Sequence, residues 1–174
     1  MTLHDRCLPI ELLLLDVDGV LTDGSIVYGD DGRELKAFFV RDGSGLKLWR
    51  QTGKRAGIIT GRRSAVVERR AAELDLTVVV QGAEDKLAAW ESILAEQKLA
   101  PRQACYVGDD VPDVPVLRRS GLAIAVADAC EQARAAAHYV TQAPGGRGAV
   151  REVIELILKA QGLWSQVLAR FGQG

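Results

Sequence analysis

Acidic side chains placed at the ends of apolar runs are the first feature of this chain that points to chemistry. The run Glu11–Asp16 closes on Asp16-Val17-Asp18-Gly19-Val20-Leu21-Thr22-Asp23. An unpaired buried carboxylate is costly or shifts its pKa, so a strand that ends in two of them holds them for a purpose. The chain turns here, which lets both carboxyl groups reach one site, and Gly19 permits a tight turn and close approach of a ligand. A second run ends in Ile58-Ile59-Thr60-Gly61-Arg62, where a hydroxyl and free backbone N–H groups open into a helix and form a small anion cradle. Lys86 stands near the start of a predicted helix, against the helix dipole, a place better explained when an anion lies nearby. Tyr106-Val107-Gly108-Asp109-Asp110-Val111-Pro112-Asp113 then sets three acids just past another apolar run. Asp109, Asp110 and Asp113 repel one another unless a cation compensates, and hard oxygen donors of this kind suit Mg²⁺. Each cluster alone also fits a plainer role: an Asx turn, a helix cap, a solvated lysine, an acidic cap box. Four of them in succession, at four strand ends, point to one site for an anion and a divalent cation.

Short apolar runs bounded by turn residues carry these groups. Strands are predicted over 11–16, 56–60, 77–80, 104–107, 122–126 and 139–140, and helices over 43–51, 63–73, 85–97, 114–119 and 131–136. A long amphipathic helix is predicted over 148–168. Strands apolar on both faces that alternate with helices indicate a parallel sheet covered on both sides. The expected fold is α/β, a three-layer Rossmann-like arrangement in a single domain over 1–174. One segment breaks the rhythm: residues 24–40 hold two β-like runs around Gly29-Asp30-Asp31-Gly32, a hairpin signal. It follows the first strand directly and reads as a flap at the C-terminal edge of the sheet, where open α/β sheets bind ligands.

Composition narrows the partners. With 22 Lys and Arg against 23 Asp and Glu among 174 residues, the net charge is −1, so no global basic field holds nucleic acid or an anionic membrane. A spanning helix needs roughly 20 apolar residues, and the run Leu12–Leu15 stops at Asp16. Cys7, Cys105 and Cys130 are too scattered for a disulfide framework or a zinc knuckle, and no secretory leader is evident, so a reducing cytoplasm is the expected location. The two histidines, His4 and His138, lie far apart in sequence, so catalysis is expected from carboxylates, Lys, Arg, Ser or Thr.

With these residues in place, the sequence resembles the haloacid-dehalogenase-type phosphatases. Their four motifs are matched by Asp16-Val17-Asp18-Gly19, Thr60-Gly61, Lys86 and Gly108-Asp109-Asp110-Val111-Pro112-Asp113. Within them it is most similar to the 3-deoxy-D-manno-octulosonate 8-phosphate phosphatase family, on Val40-Arg41-Asp42-Gly43, Ile58–Arg63 and Gly145-Gly146-Arg147-Gly148-Ala149-Val150-Arg151-Glu152. The resemblance runs from about Glu11 to Gly162 and implies the fold without a cap domain. It implies Asp16 as nucleophile, Asp18 as general acid and base, and Mg²⁺ on the Asp16 carboxylate, the Asp18 backbone carbonyl and the Asp109 carboxylate. Thr60, Gly61 and Lys86 would hold the phosphoryl oxygens, and Asp110 and Asp113 would orient the metal's waters and Lys86.

The implied substrate is a small phosphorylated sugar acid whose carboxylate calls for further cations. Arg62 and Arg70 are candidates for it, Arg41, Asp42 and Gly43 could line the leaving-group side, and Lys47 stands where the family more often has Arg. Phe39 stands where the family usually has Asn. The family resemblance implies a homotetramer in which the hairpins form a barrel and a neighbour's C-terminal tail closes the site, with the Gly145–Gly148 run suited to a mobile tail segment. Two other readings stay open on sequence: a phosphatase of nine-carbon sialic-acid-type 9-phosphates, and an inactive oligomerisation domain of the same fold.

Overall fold

The computed structural model describes residues 1–172 of the chain. Six strands form one sheet: β1 (Leu12–Leu15), β4 (Arg55–Thr60), β5 (Val78–Gln81), β6 (Ala104–Gly108), β7 (Leu122–Ala125) and β8 (Tyr139–Val140). Their order is β5-β4-β1-β6-β7-β8 and every neighbouring pair is parallel. The four leucines of β1 are fully buried, as a central strand covered on both faces requires. Helices α1 (Leu3–Cys7), α2 (Val40–Gln51), α3 (Ala65–Glu73) and α7 (Ala149–Ala160) pack as one layer, and α4 (Lys86–Gln97), α5 (Val114–Arg119) and α6 (Glu131–Ala136) as the other. No helix among the described residues is long and apolar enough to cross a membrane.

The chain runs from β1 out to β4 and β5, then returns to the other side of β1 to lay down β6, β7 and β8. The reversal opens a crevice at the carboxyl ends of β1 and β6, the place where such sheets bind ligands. Asp16 and Asp109 are the residues that follow those two strands.

The hairpin is present as β2 (Val27–Tyr28) and β3 (Glu34–Leu35), an antiparallel pair outside the main sheet. Gly29 N–H donates to the Arg33 carbonyl at 2.9 Å and Gly32 has φ +77°, which closes the turn. Side chains on both of its faces remain exposed: Tyr28 at 61 % on one and Leu35 at 56 % on the other.

Three differences from the sequence expectations have physical causes. The single helix expected over 148–168 is broken into α7 and α8 (Trp164–Ala169), because Gly162 takes φ +70°. Helix α1 was not expected, although Thr2 and Asp5 form a reciprocal capping box that the sequence displays. Helix α2 begins at Val40, three residues before the expected start.

Candidate active site

The ends of β1, β4 and β6 and the loop after β5 each contribute a chemical group. The Asp16 N–H still donates to the Val107 carbonyl at 3.0 Å, so the carboxylate leaves the sheet from a fixed backbone. The loop beyond it folds back on itself, with Leu21 and Thr22 N–H groups on the Val17 carbonyl at 2.9 and 3.0 Å. Gly19, at φ +90°, lies so close to the Asp109 carboxylate that a Cβ would come within 2.1 Å of its Oδ2. Only glycine fits there, because the conformation and the space both exclude a side chain.

Lys86 is the first residue of α4, behind the cap made by Asp85. Its Nζ donates to Asp113 Oδ1 at 2.7 Å and lies 2.8 Å from Asp16 Oδ2. Burial works against the charge on Lys86, but the Asp16 and Asp113 carboxylates outweigh it and raise its pKa. The ammonium thus stays charged at the helix start, where the dipole alone would disfavour it.

Asp113 is fully buried and fully used. Its Oδ1 accepts from Lys86 and from the Tyr106 hydroxyl at 2.7 Å, and its Oδ2 accepts from the backbone N–H groups of Asp109 and Asp110 at 3.0 and 3.1 Å. Asp113 therefore locks the loop after β6 and has no oxygen left to serve a metal well. Asp110 lines the mouth of the same pocket.

Asp109 is the opposite case. Its Oδ1 is buried and has no hydrogen-bond partner. Burial, and then the negative charges of Asp16 and Asp113, push its pKa up to about 7. Burial and then the Asp113 charge raise Asp16 as well, with Lys86 opposing them. Carboxylate oxygens of Asp16, Asp109 and Asp113 come within 4.8 Å of one another. With Asp113 committed to its own donors, the crowding, the orphaned Asp109 oxygen and the raised pKa values of Asp16 and Asp109 describe a pair of donors that fits a hard divalent cation.

Thr60 ends β4 and is buried, its Oγ1 facing the Arg62 N–H at 3.4 Å. The Ala83 N–H donates to the Thr60 carbonyl and ties the β4 end to the loop before α4. A cavity of about 510 Å³ opens between these groups, lined by Asp16, Asp18, Thr60, Gly61, Arg62 and Lys86 together with Asp109 and Asp110. Arg62 reaches across it to the flap, 3.3 Å from the Tyr28 hydroxyl, 3.2 Å from Glu34 Oε1 and 3.9 Å from Asp18 Oδ2.

The remaining expected sugar contacts lie elsewhere in the single chain. Asp42 is buried and caps α7, accepting from the Gly148 N–H at 3.2 Å and the Arg151 N–H at 2.8 Å. It is a helix cap for a segment far along the chain and does not line the cavity. Gly43 is buried beneath Arg70, where a Cβ would meet Nη2 at 2.3 Å. Arg70 stacks over Phe38 and pairs with Glu73 at 3.1 Å. Arg41 is exposed on the first turn of α2, and Lys47 lines a groove with Arg151 and Trp164. The Gly145–Gly148 run is docked and not free: Gly146 N–H donates to the Val20 carbonyl at 2.9 Å, and a Cβ on Gly145 would sit 1.7 Å from the Gly19 carbonyl oxygen.

Two contributors escaped the sequence reading. Tyr106 looks like a core aromatic in an apolar strand, and its hydroxyl role shows only in three dimensions. Lys36, in the flap, pairs with Asp18 and with Glu34. The alternation Glu34-Leu35-Lys36 was the available signal, since it puts both charges on one face of the hairpin.

Known proteins place this geometry in context. Residues 73–154 match the model of the haloacid dehalogenase-like hydrolase family. The 3-deoxy-D-manno-octulosonate 8-phosphate phosphatase KdsC of Yersinia pestis is 50 % identical over 156 residues, covering 90 % of this chain and 83 % of that protein. The KdsC protein of Escherichia coli K12 is 50 % identical over 153 residues, covering 88 % and 81 %. The crystal structure of the Moraxella catarrhalis 3-deoxy-D-manno-octulosonate 8-phosphate phosphatase, in complex with magnesium ion, phosphate ion and KDO, superposes with a TM-score of 0.95 at 45 % identity and 97 % coverage of both chains. The cobalt-bound Haemophilus influenzae phosphatase superposes with a TM-score of 0.89 at 34 % identity, covering 94 % of this chain and 99 % of that one. Likeness of this extent, over a chain whose four strand-end groups meet in one crevice, means that it belongs to the haloacid dehalogenase-like hydrolases and, within them, to the 3-deoxy-D-manno-octulosonate 8-phosphate phosphatase family.

Proposed function

We propose that this protein hydrolyses 3-deoxy-D-manno-octulosonate 8-phosphate to the free sugar acid and inorganic phosphate. The observation that carries the reading is the junction of Asp16, Thr60, Lys86 and Asp109 in one cavity, with a buried Asp109 oxygen that lacks a partner. The relatives' shared substrate favours the eight-carbon sugar acid over a nine-carbon one, and the complete set of charged groups argues against an inactive domain.

Phosphate monoesters hydrolyse extremely slowly unaided, so the residues must place a nucleophile in line and hold charge on the phosphoryl oxygens. Asp16 attacks phosphorus and forms an aspartyl-phosphate as the bond to the sugar oxygen breaks. Asp18 gives its proton to that departing oxygen, then takes one from the water that frees Asp16 and inorganic phosphate. Thr60, the Gly61 N–H and Lys86 hold the phosphoryl oxygens, and Lys86 keeps its orientation through Asp113. The carboxylates of Asp16 and Asp109 with the Asp18 backbone carbonyl would hold Mg²⁺, which offsets the negative charge gathered by acids and phosphate. Arg62 is the cation placed to meet the substrate carboxylate.

The exposed apolar flap supports a homotetramer built through the hairpins, in the cytoplasm. Arg41, Lys47 and Arg70 lie outside this cavity, which fits a site completed by another copy of the chain. Phosphate release from the eight-carbon substrate, against a nine-carbon analogue and with a chelator control, tests the reading. The eight-carbon ester should win in kcat/KM, and a preference of more than about tenfold for the longer sugar would overturn the substrate assignment.

A further inference from the structure

Lys36 is the one cation of the flap that reaches the reactive centre, and it arrives from outside the cavity. Its side chain is only 1 % exposed, while the Asp18 and Glu34 side chains beside it are 20 % and 15 % exposed. Among the described residues it is the one hydrogen-bond donor to the Asp18 carboxyl. Its second partner, Glu34 Oε1, lies at 3.4 Å. Glu34 is itself held by the Ser64 hydroxyl, which caps α3, and by Arg62. A strut thus runs from the start of α3 through Glu34 and Lys36 to Asp18. Lys36 and Glu34 are absent from the wall of the cavity that would take the ester, while Asp18 is part of it.

Sequestering an ammonium between two carboxylates is a poor way to gain stability, because the cost of desolvation consumes most of the attraction. An apolar residue would seat the hairpin as well. What an ammonium supplies that leucine cannot is direction: it fixes which oxygen of Asp18 is occupied and which is turned to the cavity.

We propose that Lys36 is a positioning residue that orients the Asp18 carboxyl for proton transfer at the bridging oxygen of the substrate. The proposal rests on the reading of Asp18 as the general acid and base. When Asp18 releases its proton to the departing sugar oxygen, the carboxylate left behind faces the Lys36 ammonium and is stabilised by it. The same contact holds the carboxylate in place to receive the proton of the attacking water.

Leaving-group dependence tests this, since a sugar alkoxide needs a proton on departure and a nitrophenolate does not. The measured quantity is kcat/KM of the Mg²⁺-loaded protein on 3-deoxy-D-manno-octulosonate 8-phosphate and on p-nitrophenyl phosphate, which covers all steps up to release of the leaving group. For Lys36→Met, the sugar phosphate should lose roughly 100-fold and the aryl phosphate less than about threefold. Lys36→Arg, which keeps the charge, should recover at least about tenfold of the loss on the sugar phosphate. A parallel loss on both substrates in Lys36→Met would make Lys36 a flap anchor only and overturn the proposal. Asp18→Asn separates the two layers of the argument. If it shows the selective loss and Lys36→Met does not, the Lys36 role fails and the Asp18 role stands. If Asp18→Asn shows no selectivity, the Asp18 assignment fails and the Lys36 proposal falls with it.

Discussion

The crevice at the ends of β1 and β6 and the flap that overhangs it are built on opposite terms. In the crevice, Asp113 spends both oxygens on four donors, and Lys86 lies between two carboxylates. Every one of these groups leaves a strand or helix whose backbone is already fixed. The flap has two short strands with exposed apolar side chains on both faces, Ile26 and Tyr28 on one and Val27 and Leu35 on the other, and is tied to the body through Glu34 and Lys36. The difference teaches where precision is kept. Phosphoryl chemistry tolerates little displacement of its charges and is mounted on the sheet. The flap, with two short strands and exposed apolar side chains, is held by a few polar contacts instead.

That contrast can be broken from either side. The largest effect is expected from Asp16→Asn, which should lower phosphate release by on the order of 10³-fold or more while leaving the fold intact. Full retained turnover in a phosphate assay would remove Asp16 as nucleophile. Next, Asp113→Ala strands the Lys86 ammonium with one partner and leaves the Tyr106 hydroxyl buried and unpaired, at a cost of about 3 kcal/mol of stability. Denaturant titration checks this, and a loss under about 1 kcal/mol would show the crevice to be less tightly bound than its geometry implies.

A smaller effect follows from Asp109, whose pKa is pushed to about 7, above the ordinary 3.8. Between about pH 4 and pH 7 the metal-free folded chain holds a proton that the unfolded chain has released, so its stability falls as pH rises through that window. Mg²⁺ competes for the same oxygen, so its stabilisation should grow with pH. Thermal melts in millimolar Mg²⁺ should show a shift roughly 5 °C larger at about pH 8 than at about pH 5.5, and an equal shift would contradict the assignment of Asp109 to the metal. The smallest effect belongs to the flap. Leu35→Asp should change the stability of the single chain by no more than about 0.5 kcal/mol, yet dissociate the proposed homotetramer in sedimentation velocity. An unchanged tetramer would move the interface away from the hairpin.

The same contrast divides what could be read in the sequence from what could not. Asp16, Thr60, Lys86 and Asp109 were legible because a polar group at the end of a buried apolar run stands out against its neighbours. The hairpin was legible from its turn residues. The capping role of Asp42 was not legible, because an acid in the first turn of a helix looks local, whereas its carboxylate caps a helix that starts at Ala149. Lys36 gave little signal, since a lysine in an alternating hairpin is ordinarily solvated. Periodicity carried the helix expected over 148–168 straight through Gly162, because one glycine inside an amphipathic pattern does not show which way the chain leaves it. In each case the deciding partner lies far away in sequence.

The seat of Gly145 and Gly146 against Gly19 and Val20 has a consequence for biosynthesis. A ribosome that has translated as far as Asp113 has already made every acid of the crevice and its lysine. The loop beyond Asp16 still lacks the surface it leans on, since that surface is encoded more than thirty codons later. The newborn polypeptide therefore stays inert until its final segment emerges, and a premature stop anywhere before those two glycines should yield no partial enzyme.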